Sequence, residues 1–76
     1  MIKGKGFEII ISSDAQYENI CSEIYFDGEF VAIITQEDGI ENAIIEIDLP
    51  KNGSKWTFNF SELIEILNNA KDSLRK

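Results

Sequence analysis

The clearest periodic signal lies toward the C-terminal end. Phe60, Leu63, Ile64, Leu67, Ala70 and Leu74 recur at i, i+3, i+4 and i+7, which predicts one amphipathic helix with a single buried stripe. Its start is marked by Asn59 as N-cap, by Glu62 at the capping-box position, and by Phe58 and Leu63 at the positions of a hydrophobic staple. Lys71, Arg75 and Lys76 fall toward the negative end of the helix dipole. Upstream the period changes to strand-like. Phe7 to Ile11 is Ile-rich and bounded by Gly6 and Ser12-Ser13-Asp14. Residues 14–18 form a polar connection with room for one helical turn. Asn19 to Phe26 and Glu29 to Gln36 flank Asp27-Gly28, a strong two-residue hairpin signal, because a type I′ turn needs positive φ at both central positions.

That turn sets an expected register in which Phe26 faces Glu29, Tyr25 faces Phe30, Ile24 faces Val31, Glu23 faces Ala32 and Ser22 faces Ile33. Directly opposed residues share a sheet face. One face then carries Ile20, Ile24, Phe26, Val31 and Ile33, and the other Cys21, Glu23, Tyr25, Phe30, Ala32 and Ile34. Residues 37–41 read as an acidic turn and 42–49 as the next strand, with Ile45, Ile47 and Leu49 alternating against Glu46 and Asp48. Pro50-Lys51-Asn52-Gly53-Ser54 punctuates a loop. Trp56-Thr57-Phe58 is a short strand or an extended approach to the helix. Gly4-Lys5-Gly6 reads as a flexible lead-in; it has no P-loop pattern, and the strand follows the glycines instead of preceding them.

These elements predict an α+β fold: a four- to five-stranded antiparallel β-meander with the C-terminal helix on one sheet face, all within a single domain, 1–76. The helix is expected on the face of Ile20, Ile24, Val31 and Ile33. One helix cannot cover both faces. Tyr25, Phe30, Ala32 and Ile34, joined by Ile10 or Ile44, would leave the second one unusually apolar. A loop, a partner or a second subunit would have to cover it, unless the sheet curls around two small cores; a homodimer is the favoured expectation.

The chain has 76 residues, and at that size packing alone gives thin stability. A 43% apolar content nevertheless argues for a folded protein. With a single cysteine, Cys21, no intrachain disulfide forms, and with no histidine a zinc site lacks its usual donors. The first residues carry no apolar signal core and no run spans a bilayer, so the expected location is the cytoplasm.

Charge separates the function classes. The formal net charge is −7, and from Gly6 to Pro50 there are eleven acids and no Lys or Arg. Phosphate binding needs cations, so no direct nucleic-acid or membrane contact is expected, and the complementary partner is a protein with a basic surface. The plainer reading is that these acids only keep a small domain soluble.

Catalytic groups are scarce. General acid–base and nucleophilic pairs that use histidine are absent, and Cys21 sits mid-strand with no adjacent base to activate it. Glu37, Asp38 and Glu41 in one turn, and Glu46 with Asp48 on one strand face, are paired carboxylates, but their spacing is not that of a calcium loop. No metal, cofactor or catalytic residue is therefore expected. The candidate partner-binding set is Glu23, Tyr25, Asp27, Glu29, Phe30, Glu37, Asp38, Glu41, Glu46 and Asp48. Trp56 reads as a core cap beside Phe58, with an interface anchor as the competing role.

Glu23-Ile24-Tyr25, Asp27-Gly28, Phe30-Val31-Ala32, Gln36-Glu37, Ile45-Glu46 and the closing helix with Ala70-Lys71 and Leu74 form a pattern that resembles short bacterial proteins of unassigned function. In size, acidity and plain fold the chain is similar in type to the small immunity and anti-defence inhibitors of bacteria and phages. That resemblance of type implies an inhibitor, and the base-free stretch from Gly6 to Pro50 makes a nuclease, a CRISPR effector or another nucleic-acid-binding protein its expected target. The alternatives are a non-catalytic accessory subunit that dimerises through the second sheet face and, less favoured, an enzyme.

Overall fold

The computed structural model describes all residues except Met1, Lys5, Asp14, Ala15, Asn52 and Lys76; of Ile2–Gly4 it describes the backbone. Five strands, β1 (Ile2–Gly4), β2 (Phe7–Ser12), β3 (Cys21–Phe26), β4 (Glu29–Thr35) and β5 (Ile44–Ile47), form an antiparallel sheet in the order β1-β2-β3-β4-β5. The helix α1 (Phe60–Asp72) follows. This is the expected α+β meander with one C-terminal helix.

Of the expected lead-in Gly4-Lys5-Gly6, Lys5 lies outside the described residues, and the two glycines are held in place. Gly4 pairs with Phe7, so the segment turns β1 back onto β2. Gly6 adopts φ +92°, and its carbonyl accepts the Asp27 N–H at 2.9 Å, tying this turn to the next hairpin tip. Within the polar connection, Asp14 and Ala15 lie outside the described residues and Gln16–Asn19 form turns and bends. β3 begins at Cys21 instead of Asn19. β5 is shorter than its sequence pattern suggests, because a 3-10 turn over Ile40–Asn42 occupies the approach to it. Trp56–Phe58 belongs to no strand.

At the β3–β4 tip, Asp27 at φ 50° and Gly28 at φ 84° make the turn that the dipeptide predicts, and Phe26 pairs with Glu29 and Tyr25 with Phe30. Beyond that the register corrects the expectation. Ile24 pairs with Ala32, Glu23 with Ile33 and Ser22 with Ile34, so Val31 is the extra residue of a β-bulge. Both Val31 and Ala32 are buried on the helix side, and Ile34 follows them inward. Ile33 moves to the outer face beside Glu23. One inserted residue reverses the face of everything C-terminal to it in the strand. The apolar excess expected on the second face therefore shrinks to Tyr25, Phe30, Ile33, Ile10 and Ile44.

The core joins Phe7, Ile9, Ile24, Val31, Ala32 and Ile34 of the sheet to Ile66, Ala70 and Leu74 of α1. Phe7, Phe26 and Phe58 form a ring triad with centroids 4.8–5.0 Å apart, which holds the 56–58 segment against the sheet. Asn59 caps the helix as expected, its side chain accepting the Glu62 N–H at 3.0 Å. The buried stripe of α1 is rotated from the expected one. Ile66 is 4% exposed, whereas Phe60 is 75% exposed and Ile64 is also exposed. The helix lies over β2 and β3, where its packing is concentrated; the inner residues of β4 are buried beside it, and β5 stays exposed.

Candidate functional site

Most of the predicted site residues lie on the outer face and its rim, and many of their carboxylates already have intramolecular work. Glu23 is half-buried and accepts hydrogen bonds from Tyr25 Oη at 2.9 Å and Ser12 Oγ at 3.0 Å. The hydrogen bond to Glu23 is the largest cause that pushes the Tyr25 phenol above its ordinary pKa, followed by burial. Tyr25 and Phe30 meet edge-to-face with centroids 5.5 Å apart, and both are half-buried. Glu29 accepts the Lys51 N–H and anchors the loop after β5. Glu37 accepts the Glu18 N–H at 2.8 Å and the Asn19 N–H at 3.0 Å, so its carboxylate closes the β2–β3 connection over the end of β4. These two amide bonds hold its pKa below the usual carboxylate range. Glu41 pairs with Arg75 at 3.3 Å, an exposed ion pair of small energetic weight that links the 3-10 turn to the end of α1.

Asp27, Asp38, Glu46 and Asp48 are exposed. Asp27 sits at the hairpin tip and Asp38 in the β4–β5 turn, so these two do not converge with the others. Glu46 lies on the outer side of β5, opposite Ile33, and Ile33 in turn faces Glu23. The transverse row Ile10, Glu23, Ile33, Glu46 thus alternates apolar and acidic across four strands. Asp48 follows β5. Its N–H donates to Val31 O at 2.8 Å, and its carbonyl accepts the Trp56 indole N–H at 2.7 Å. The acids form a distributed rim and not a convergent cluster. Among the described residues no group of three or more His, Cys, Asp or Glu side chains is placed to hold a metal. No helix among the described residues is long and apolar enough to cross a membrane.

Sequence reasoning missed the most distinctive surface, which lies on the helix side. Between β5 and α1 runs an apolar groove. One segment of about 190 Å3 is lined by residues that include Val31, Ile45, Ile47, Trp56, Leu63 and Leu67. A second of about 200 Å3 shares Ile45 and Leu67 and extends to Ile44 and Lys71. Ile47 in its wall is 65% exposed; Leu49, two residues on, is 78% exposed, and Phe60 and Ile64 lie on the α1 flank that also carries Leu67. Trp56 is half-buried, stacks on Phe58 at 5.3 Å and forms part of the groove wall. The signal was present in the alternation of Ile45, Ile47 and Leu49, but only the placement of α1 over β2 and β3 leaves their inner sides open.

Cys21 is buried, and its thiol faces the Asn19 carbonyl at 3.6 Å. Comparison with protein-family models, with curated proteins and with solved structures returned no match, so the residues themselves carry the functional argument.

Proposed function

We propose that this chain is a small acidic protein-binding module, an inhibitor or adaptor of the immunity or anti-defence type, which engages a basic surface of a nucleic-acid-binding protein or nuclease in the cytoplasm. One observation carries the reading: exposed carboxylates, among them Asp27, Asp38, Glu46 and Asp48, share the surface with exposed large aliphatic side chains, in a chain of net charge −7 whose span from Gly6 to Pro50 holds no base. Exposed apolar anchors on a surface dominated by one sign of charge suit a partner of the opposite sign, because the charges steer encounter and the apolar contacts slow release. The nature of the site also supports a non-catalytic role, since its carboxylates serve as hydrogen-bond acceptors for the protein's own backbone and hydroxyls.

The homodimer reading draws less support from its original surface. Ala32 and Ile34, half of the aliphatic content argued for the second face, are buried in the core. The test of the proposal is kinetic. Proteins captured by the purified chain at low salt would be identified, and their association rates measured across ionic strength. Basic partners whose association slows by about tenfold or more as salt screens the charges are expected. A partner bound equally fast at low and high salt would overturn the electrostatic reading.

A further inference from the structure

The groove has a second property besides its apolarity: one wall is an edge strand. In an antiparallel pair, backbone groups point alternately to the partner strand and away from it. The Asp48 N–H donates to Val31 in β4, so by alternation Glu46 and Ile44 also direct their backbone groups to β4. Ile45 and Ile47 therefore direct their N–H and C=O groups outward, and β5 ends the strand order. No described residue pairs with that edge. The same two residues send their side chains into the groove, while Glu46 projects to the opposite, acidic face. Ile47 and Leu49 stay largely exposed, and the charges along this edge, Glu46 and Asp48, are acidic, so they oppose an acidic strand and not a basic one.

We propose that β5 accepts an added strand from a partner protein, an extended segment alternating apolar and basic residues. This rests on the acidic-module reading and names its site and ligand chemistry. Residues of the added strand opposite Ile45 and Ile47 share the groove side and take apolar side chains. The residue opposite Glu46 shares the outer side and takes Lys or Arg. The groove supplies the pockets. Each segment, at about 190–200 Å3, exceeds the roughly 150 Å3 cavity that holds a benzene-sized group. Lys71 lines the groove near Ile44, which directs the partner's bases to the Glu46 side.

Charge favours a foreign strand over a second copy of this chain. Antiparallel self-pairing centred on Glu46 opposes Glu46 to its own counterpart, and centring on Ile47 opposes Glu46 to Asp48. Only centring on Ile45 avoids such clashes, and it still joins two chains of −7 each.

The test uses an acetylated, amidated peptide of alternating valine and lysine, with a control of the same composition in which the valines and lysines form blocks. Binding is followed by amide chemical shifts and hydrogen exchange. The alternating peptide is expected to slow exchange at the Ile45 and Ile47 amides and to bind about tenfold or more tightly than the block peptide. Ile47→Pro removes an outward N–H while leaving the β4–β5 ladder donors intact, and should weaken binding by at least about tenfold in a folded protein. Ile47→Lys and Glu46→Lys, which leave the backbone unaltered, should each do the same. Shifts centred on Tyr25, Asp27 and Glu29 would overturn the β5 site while leaving the acidic-module reading in place. Binding at β5 that ignores salt would uphold strand addition and remove the electrostatic reading. Slow exchange at Ile45 and Ile47 without peptide, together with a dimer mass in sedimentation, would assign the edge to a second copy and overturn the proposal. No shift at millimolar peptide would overturn it as well.

Discussion

Ser22 Oγ donates a hydrogen bond to the Ala70 carbonyl at 2.6 Å, joining the middle of the sheet to the last turn of the helix in a fully buried contact. The geometry of the helix end explains its importance. The Leu74 N–H, next in line for Ala70 O, donates to Lys71 O at 3.0 Å as the last turn tightens. A C-terminal helix carbonyl left without an intrahelical donor must find another partner, and buried here it has no water to turn to. The serine hydroxyl supplies that donor and fixes both the height and the rotation of α1 over β3.

Ser22→Ala should accordingly destabilise the fold by about 1–3 kcal/mol, the cost of stranding a buried acceptor. Chemical denaturation at neutral pH measures it. A loss under half a kcal/mol would mean that Ala70 O keeps another partner.

The rotated helix stripe makes a contrast within one element. Ile66→Ala should cost about 2–5 kcal/mol, because it opens a cavity against the sheet. Phe60→Ala, at a position 75% exposed, should change stability by no more than about half a kcal/mol. Parallel unfolding curves of the two variants would show the expected stripe to be correct if their order were reversed.

Glu37 predicts a pH signature. Its folded pKa lies below the ordinary value of 4.5, so its stabilising effect is fully present above that value and is lost as pH falls through the lower, folded pKa. The stability difference between the native chain and Glu37→Gln should be constant from neutral pH down to about 5 and should shrink at lower pH. Thermal melts of both proteins across that range would test the assignment; a difference that grew on acidification would contradict it.

The two hairpin glycines should respond differently to alanine. At Gly28, φ +84°, a Cβ would meet nothing within 4 Å, so the substitution carries only backbone strain of about 1–2 kcal/mol. At Gly6, φ +92°, a Cβ would approach Asp27 Oδ1 at 3.0 Å and the Phe26 ring at 3.1 Å. Gly6→Ala should therefore be the more destabilising of the two, as read by the midpoint of urea unfolding.

Local chemistry made much of the fold legible. The Asp27-Gly28 turn, the Asn59 cap and the order of strands before a closing helix each follow from residues adjacent in the chain, whose backbone preferences act whatever surrounds them. The predicted acidic rim was also legible as composition. Which carboxylates are engaged within the fold was not, because Glu23, Glu29, Glu37 and Glu41 find partners as many as 34 positions away. The role of the lead-in glycines was not legible because the pairing of Gly4 with Phe7 needs a strand on each side, and β1 is a mere three residues long.

By itself, then, the sequence determined the local units: a hairpin pinned at Asp27-Gly28, an Ile-rich alternating strand within 42–49 and a capped amphipathic helix. Tertiary packing decided which side of each unit was inside. The Val31 bulge leaves no mark in the order of residues; it exists because Val31, Ala32 and Ile34 all gain by facing α1, and one extra residue lets them. The turn of α1 toward Ile66 and away from Phe60 depends on the sheet residues it meets, Ser22 among them. The open groove beside β5 follows from the same cause, since a single helix seated over β2 and β3 is too narrow to cover five strands.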